Sequence, residues 1–89
     1  MALGKAKEAL KLYSKAMSAV QDETAQVQIN INMGQVWYEL DSLSKAKECF
    51  QLAIRGASET PVLSSLKRTA QYNLGCIYEL EGELGLAYK

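Results

Sequence analysis

Cys49 and Cys76 are the residues whose type most readily suggests chemistry, as nucleophiles, metal ligands or a disulfide pair. They stand alone, with no Cys-x-x-Cys spacing and no third or fourth ligand candidate, and histidine is absent from all 89 residues. Ser-His and Cys-His nucleophile pairs and histidine-based zinc sites therefore cannot be assembled within the chain. No adjacent cation marks either thiol as activated, and no secretory segment opens the sequence. Both cysteines thus read as packing residues of a protein kept in a reducing compartment, cytoplasmic or nuclear. Gly82-x-x-Gly85 lacks the lysine and the preceding strand of a phosphate loop and reads as a corner. The expectation is a protein that is not an enzyme and holds no cofactor or metal.

Charge excludes two further classes. Ten basic and ten acidic side chains cancel, whereas nucleic acids and anionic membranes are held by net positive charge. The lysine row Lys5, Lys7, Lys11 and Lys15, and the pair Lys45 and Lys47, have no interleaved aromatics and read as solvated helix faces. The longest apolar runs, such as Val36-Trp37-Tyr38, are far short of the ~20 residues of a membrane span. What is left is an ordinary soluble chain whose function charge does not name.

The elements available to support it are helices. A chain of 89 residues and 9.8 kDa is one domain, and chains of this size bury about 60 to 65% of their unfolded surface. Ala6, Ala9, Leu10, Tyr13, Ala16, Met17 and Val20 recur at helical steps through residues 2–20. Residues 24–40 alternate locally like a strand, but their length without a turn signal favours a helix. Its two apolar rows, Ile29, Met33, Trp37, Leu40 and Val27, Ile31, Tyr38, suit packing between two neighbours. Asp41-Ser42 is a corner, and Leu43, Ala46, Phe50, Ala53 and Ile54 trace a third helix to Gly56. A fourth starts at Pro61, after Ser58-Glu59-Thr60, and carries Leu63, Leu66, Ala70, Leu74, Ile77 and Tyr78. Gly82 predicts a corner, with a fifth helix from Glu83 to Lys89.

Self-comparison shows a repeat. Gly34-x-x-Trp37 followed by Ala46 recurs as Gly75-x-x-Tyr78 followed by Ala87, and Ala46-x3-Phe50-x2-Ala53 recurs as Ala9-x3-Tyr13-x2-Ala16. Gly4 and Gly82 each stand five residues before their alanine. These residues resemble the tetratricopeptide (TPR) family, whose helix A carries a small residue and then an aromatic three later, and whose helix B carries A-x3-F/Y-x2-A. The resemblance implies an all-α solenoid of antiparallel helix hairpins. Residues 2–20 would be an orphan helix B, 24–56 a complete repeat, and 61–89 a helix A with a truncated helix B, in the order B-A-B-A-partial B. It implies that Gly34 and Gly75 make room for helix B, while Trp37, Phe50 and Tyr78 fill the gaps. The family's leading tryptophan is replaced by Asn30 and Gln71, and its closing proline by Gln21 and Ser58. The longer spacing between alanines resembles the extended repeats of Pins-type scaffolds and kinesin light chains.

The resemblance also implies a concave groove lined by helix A. Its positions carry Gln28, Ile31, Asn32, Gln35, Tyr38 and Glu39 in one repeat and Thr69, Tyr72, Asn73, Cys76, Glu79 and Leu80 in the next. Asn32 and Asn73 stand two residues before the repeat glycine, where family asparagines hold a peptide backbone, and a carboxamide supplies both donor and acceptor for that task. Thr69 and Asn73 occupy positions where the family's receptors for chaperone tails need lysine and arginine, which disfavours that ligand. The expected function is a scaffold module that binds an extended or helical peptide. The alternatives are a TPR module appended to an enzyme and a stacking subunit of an assembly whose groove holds no peptide. The exposed ends, Leu10, Tyr13 and Met17 against Leu74, Ile77 or Tyr78, predict head-to-tail self-association of the chain.

Overall fold

The computed structural model describes residues 3–57 and 60–87, with side chains for 4–57 and 60–82. The described residues form four α-helices and no strand: α1 (Leu3–Ala19), α2 (Glu23–Glu39), α3 (Leu43–Gly56) and α4 (Pro61–Ala87). The strand-like alternation in α2 yields to helix because the element is buried on two sides. Val36, with Met33, Trp37 and Leu40, meets Ala6, Leu10 and Tyr13 of α1, while Val27 and Ile31 join the main core. α1 packs on α2, α2 on α3, α3 on α4, and α2 also touches α4. The resulting slab measures 45 × 33 × 16 Å. Its radius of gyration, 13.8 Å, exceeds the ~12 Å of a rounded domain of this length.

Short-range chemistry fixes the helix ends. Asp22 caps α2 by accepting a hydrogen bond from the Ala25 amide at 3.0 Å. The Gln26 side-chain Nε2 donates to the Val20 carbonyl at 2.9 Å, tying the α1–α2 link to the helix it leads into. At the α2–α3 corner Asp41 adopts φ 61°, a left-handed conformation that aspartate tolerates better than most residues. The Asp41 and Ser42 amides there donate to the Tyr38 and Trp37 carbonyls, which the helix end would leave open. Thr60 Oγ1 accepts from the Leu63 amide ahead of α4, and Pro61 opens the helix where a missing N–H costs nothing.

The core centres on Phe50, Ile31, Ile77 and Val27, all fully buried. Phe50 lies across α2 at Gly34, where a Cβ would stand 2.7 Å from Phe50 Cε1. Only glycine lets the ring come so close. On α4, Leu63, Ala70 and Ile77 lie seven residues apart on one buried stripe, with Leu66 and Leu74 packed beside it.

Beyond Tyr78 the structure departs from the repeat. No corner forms at Gly82 and no fifth helix begins at Glu83: α4 continues through both to Ala87. The expected order B-A-B-A-partial B thus becomes four helices, the last of them long and unbroken. In α3 the return stroke is held by Phe50 and Ala53, one and two turns past Ala46. Continuing α4 through Gly82 keeps its backbone ladder intact. Accordingly, nothing lies within 4 Å of a Cβ built at Gly75. The expected packing of Ala87 and the roles of Ser58, Glu59 and Lys89 lie outside the described residues.

Tyr78, expected to fill an interhelical gap, is 50% exposed. Its hydroxyl accepts from Gln51 Nε2 at 3.2 Å, and Lys47 Nζ stands 5.6 Å from its ring centroid. Lys47 also bonds both carboxylate oxygens of Glu81 at 2.9 Å, joining α3 to α4. Lys45 Nζ lies 4.4 Å from the Trp37 ring centroid. These two lysines are therefore engaged with aromatic faces, a correction to their reading as simply solvated.

Candidate functional site

Helical spacing brings Gln35, Tyr38 and Glu39 onto one face of α2, and Asn73 and Cys76 onto one face of α4. Because both helices pack on α3, these faces meet over Phe50 and enclose an open cavity of about 440 Å³. That volume lies within the usual range of ligand sites, roughly 300 to 1,000 Å³. Five of the twelve groove positions selected from the sequence converge here. Phe50 is the addition: it was assigned to packing, yet the ring that fills the Gly34 gap also forms the floor of the cavity. The A-x3-F spacing together with the glycine on α2 held that signal.

The other selected residues occupy different settings. Gln28 is exposed and its Nε2 donates to Asn32 Oδ1 at 3.0 Å, so Asn32 is already engaged on its acceptor side. Thr69 is exposed, with its hydroxyl donating to the Ser65 carbonyl at 3.3 Å. Tyr72 is 74% exposed, which excludes it from the core, and Glu79 is exposed and Leu80 half-buried. Ile31, assigned to the groove face, is 1% exposed and belongs to the core. Tyr38 is 40% exposed and lines the cavity.

Asn73 is the unusual member. Its Nδ2 is shielded from solvent and has no hydrogen-bond partner among the described residues. A buried donor left idle costs about 1 to 3 kcal/mol, so folding alone gives no reason for an asparagine here. Rotation about the last side-chain bond is soft and exchanges the two ends of the carboxamide. Among the described residues Glu39 is the one charged side chain lining the cavity.

The cysteines differ too. Cys49 is buried, and burial, followed by the neighbouring Glu48 carboxylate, pushes its thiol pKa up. Cys49 is thereby held protonated at neutral pH. Cys76 is partly accessible at the cavity wall. Among the described residues no cluster of three or more His, Cys, Asp or Glu comes together, and no helix is long and apolar enough to cross a membrane. Of the residues expected to stack end to end, Leu10 and Ile77 are buried inside the chain, which leaves Tyr78 as the exposed member on α4.

The cavity combines hydrogen-bonding amides, two rings and one carboxylate. Such a set can hold and orient a polar chain. Comparison with models of known families, with curated proteins and with solved structures gives no match for this chain.

Proposed function

We propose that this chain is a TPR-like module that binds an extended peptide in the groove between α2 and α4. It works as a protein-interaction scaffold and performs no catalysis. The observation that carries this reading is the idle, shielded Nδ2 of Asn73 beside Gln35, Tyr38 and Phe50. A peptide carbonyl would satisfy that donor and offset the cost of leaving it unpaired. The repeat spacing supports the assignment, since it places Asn32 and Asn73 at equivalent steps of α2 and α4.

The experiment is a set of three substitutions read for binding and stability together, using a random linear peptide library as bait. Asn73→Ala and Asn32→Ala each weaken the selected peptides by about 1 to 2 kcal/mol. Asn73→Leu abolishes binding yet raises the melting temperature, because an apolar group of similar size removes an unsatisfied donor. Unchanged affinity in all three variants refutes the groove.

A further inference from the structure

We infer that the groove selects a peptide carrying a lysine or arginine, seated against Glu39. This inference rests on the peptide-groove reading and adds the chemistry of the partner. Three independent features favour a cation at that spot. Among the described residues Glu39 is the only charged side chain lining the cavity, and no lysine or arginine lines it. Glu39 is also the last residue of α2, whose final turn carries no basic side chain, so the negative end of the helix dipole adds to its carboxylate. Beside it the exposed Tyr38 ring offers a face that attracts a cation and covers its aliphatic stem. Among the described residues the nearest lysines of α3 are committed elsewhere, Lys45 to Trp37 and Lys47 to Glu81. Glu79, exposed on α4 one turn past Cys76, extends the same negative edge.

The division of labour follows. Asn73 holds a backbone carbonyl whatever the sequence, and Glu39 reads one side chain a short step along the peptide. An acidic ligand would meet Glu39 without any compensating cation, and like charges at close range suppress binding.

The test selects a phage-displayed library of random linear peptides on the wild-type chain, on Asn73→Leu and on Glu39→Gln, with circular dichroism confirming that each variant is folded. Peptides enriched on the wild type are expected to share a lysine or arginine at one position. Changing that residue to glutamine in the synthetic peptide, or Glu39 to glutamine in the protein, lowers affinity roughly tenfold in fluorescence polarisation. Making both changes lowers it little further, because the two groups act on each other. Peptides that depend on Asn73 but show no preferred basic position, or whose basic residue loses as much affinity in Glu39→Gln as in the wild type, overturn the charge selection and leave the groove standing. Peptides bound equally by wild type and Asn73→Leu overturn the groove itself. Concentration-dependent dimerisation broken by Glu39→Gln would instead assign the site to the lysine-rich α1 of a second copy, and would overturn the proposal.

Discussion

Gly34 and Gly75 open the same short pattern, glycine, two residues, aromatic, yet their surroundings are opposite. At Gly34 the chain turns back within a few residues, Asp41 takes a left-handed φ, and α3 presses Phe50 onto the glycine itself. At Gly75 the helix runs straight on, and the glycine faces open space. The difference teaches that the repeat pattern marks where a hairpin can close, while the closing is done by bulk delivered from one and two turns further on. The shift that relates the two glycines also sets Gly82 opposite Asp41. Even a residue better suited than aspartate to that corner does not by itself bend the helix.

The sharpest way to break this comparison is to remove the ring. Phe50→Ala is expected to cost about 3 to 5 kcal/mol, measured by urea denaturation, because it empties the crossing at Gly34 and the floor of the cavity together. A near-neutral result would mean that α3 is held by something other than that crossing. Next in size is Gly34→Ala, expected to lose about 1 to 3 kcal/mol through overpacking, since the new methyl would stand 2.7 Å from the Phe50 ring. Gly75→Ala carries the opposite sign, a gain of about 1 kcal/mol from helix propensity alone. Equal effects at the two glycines would erase the distinction. Gly82→Ala sharpens it: the straight α4 predicts a similar gain, while a corner with positive φ would turn the same change into a loss.

The smallest effects separate the two thiols. Iodoacetamide under native conditions should modify Cys76 well before Cys49, and a bound peptide should slow the first reaction only; mass spectrometry of the labelled chain decides. Cys49 also sets a weak pH dependence. Its pKa is raised in the folded chain, so the folded state keeps a proton that the unfolded state loses, and stability declines as pH rises past the unfolded thiol value of about 8.5. Cys49→Ala should flatten that decline in thermal melts between pH 8 and pH 10.

Helix existence was readable because periodicity and caps agree. The row of small and apolar residues in α1, the Asp22 cap, the Asp41-Ser42 corner and the Thr60-Pro61 start each act within a few residues of where they stand. The continuation of α4 was not readable from Gly82, because a glycine permits a corner without requiring one and the outcome depends on packing far along the chain. In the site, spacing placed Gln35, Tyr38, Glu39, Asn73 and Cys76 on facing surfaces, since i, i+3 and i+4 positions share a helix face. The same spacing put Ile31 there as well, because a helix between two neighbours has no clean boundary between its groove face and its core face. The asymmetry between Asn32 and Asn73 was also hidden: it comes from Gln28, one turn before Asn32, whose counterpart one turn before Asn73 is the shorter Thr69, turned to its own backbone.

Trp37 is the chain's single tryptophan, and it packs against both apolar clusters, the one shared with α1 and the main core. The indole is therefore an internal optical gauge at the seam of the molecule, with the Lys45 ammonium above its ring. Release of α1 alone would wet one edge of it and shift its emission part of the way to the red. Melting of the α2–α3 hairpin would complete the shift and withdraw the cation. A single fluorophore, with no label added, can thus time the order in which the slab comes apart.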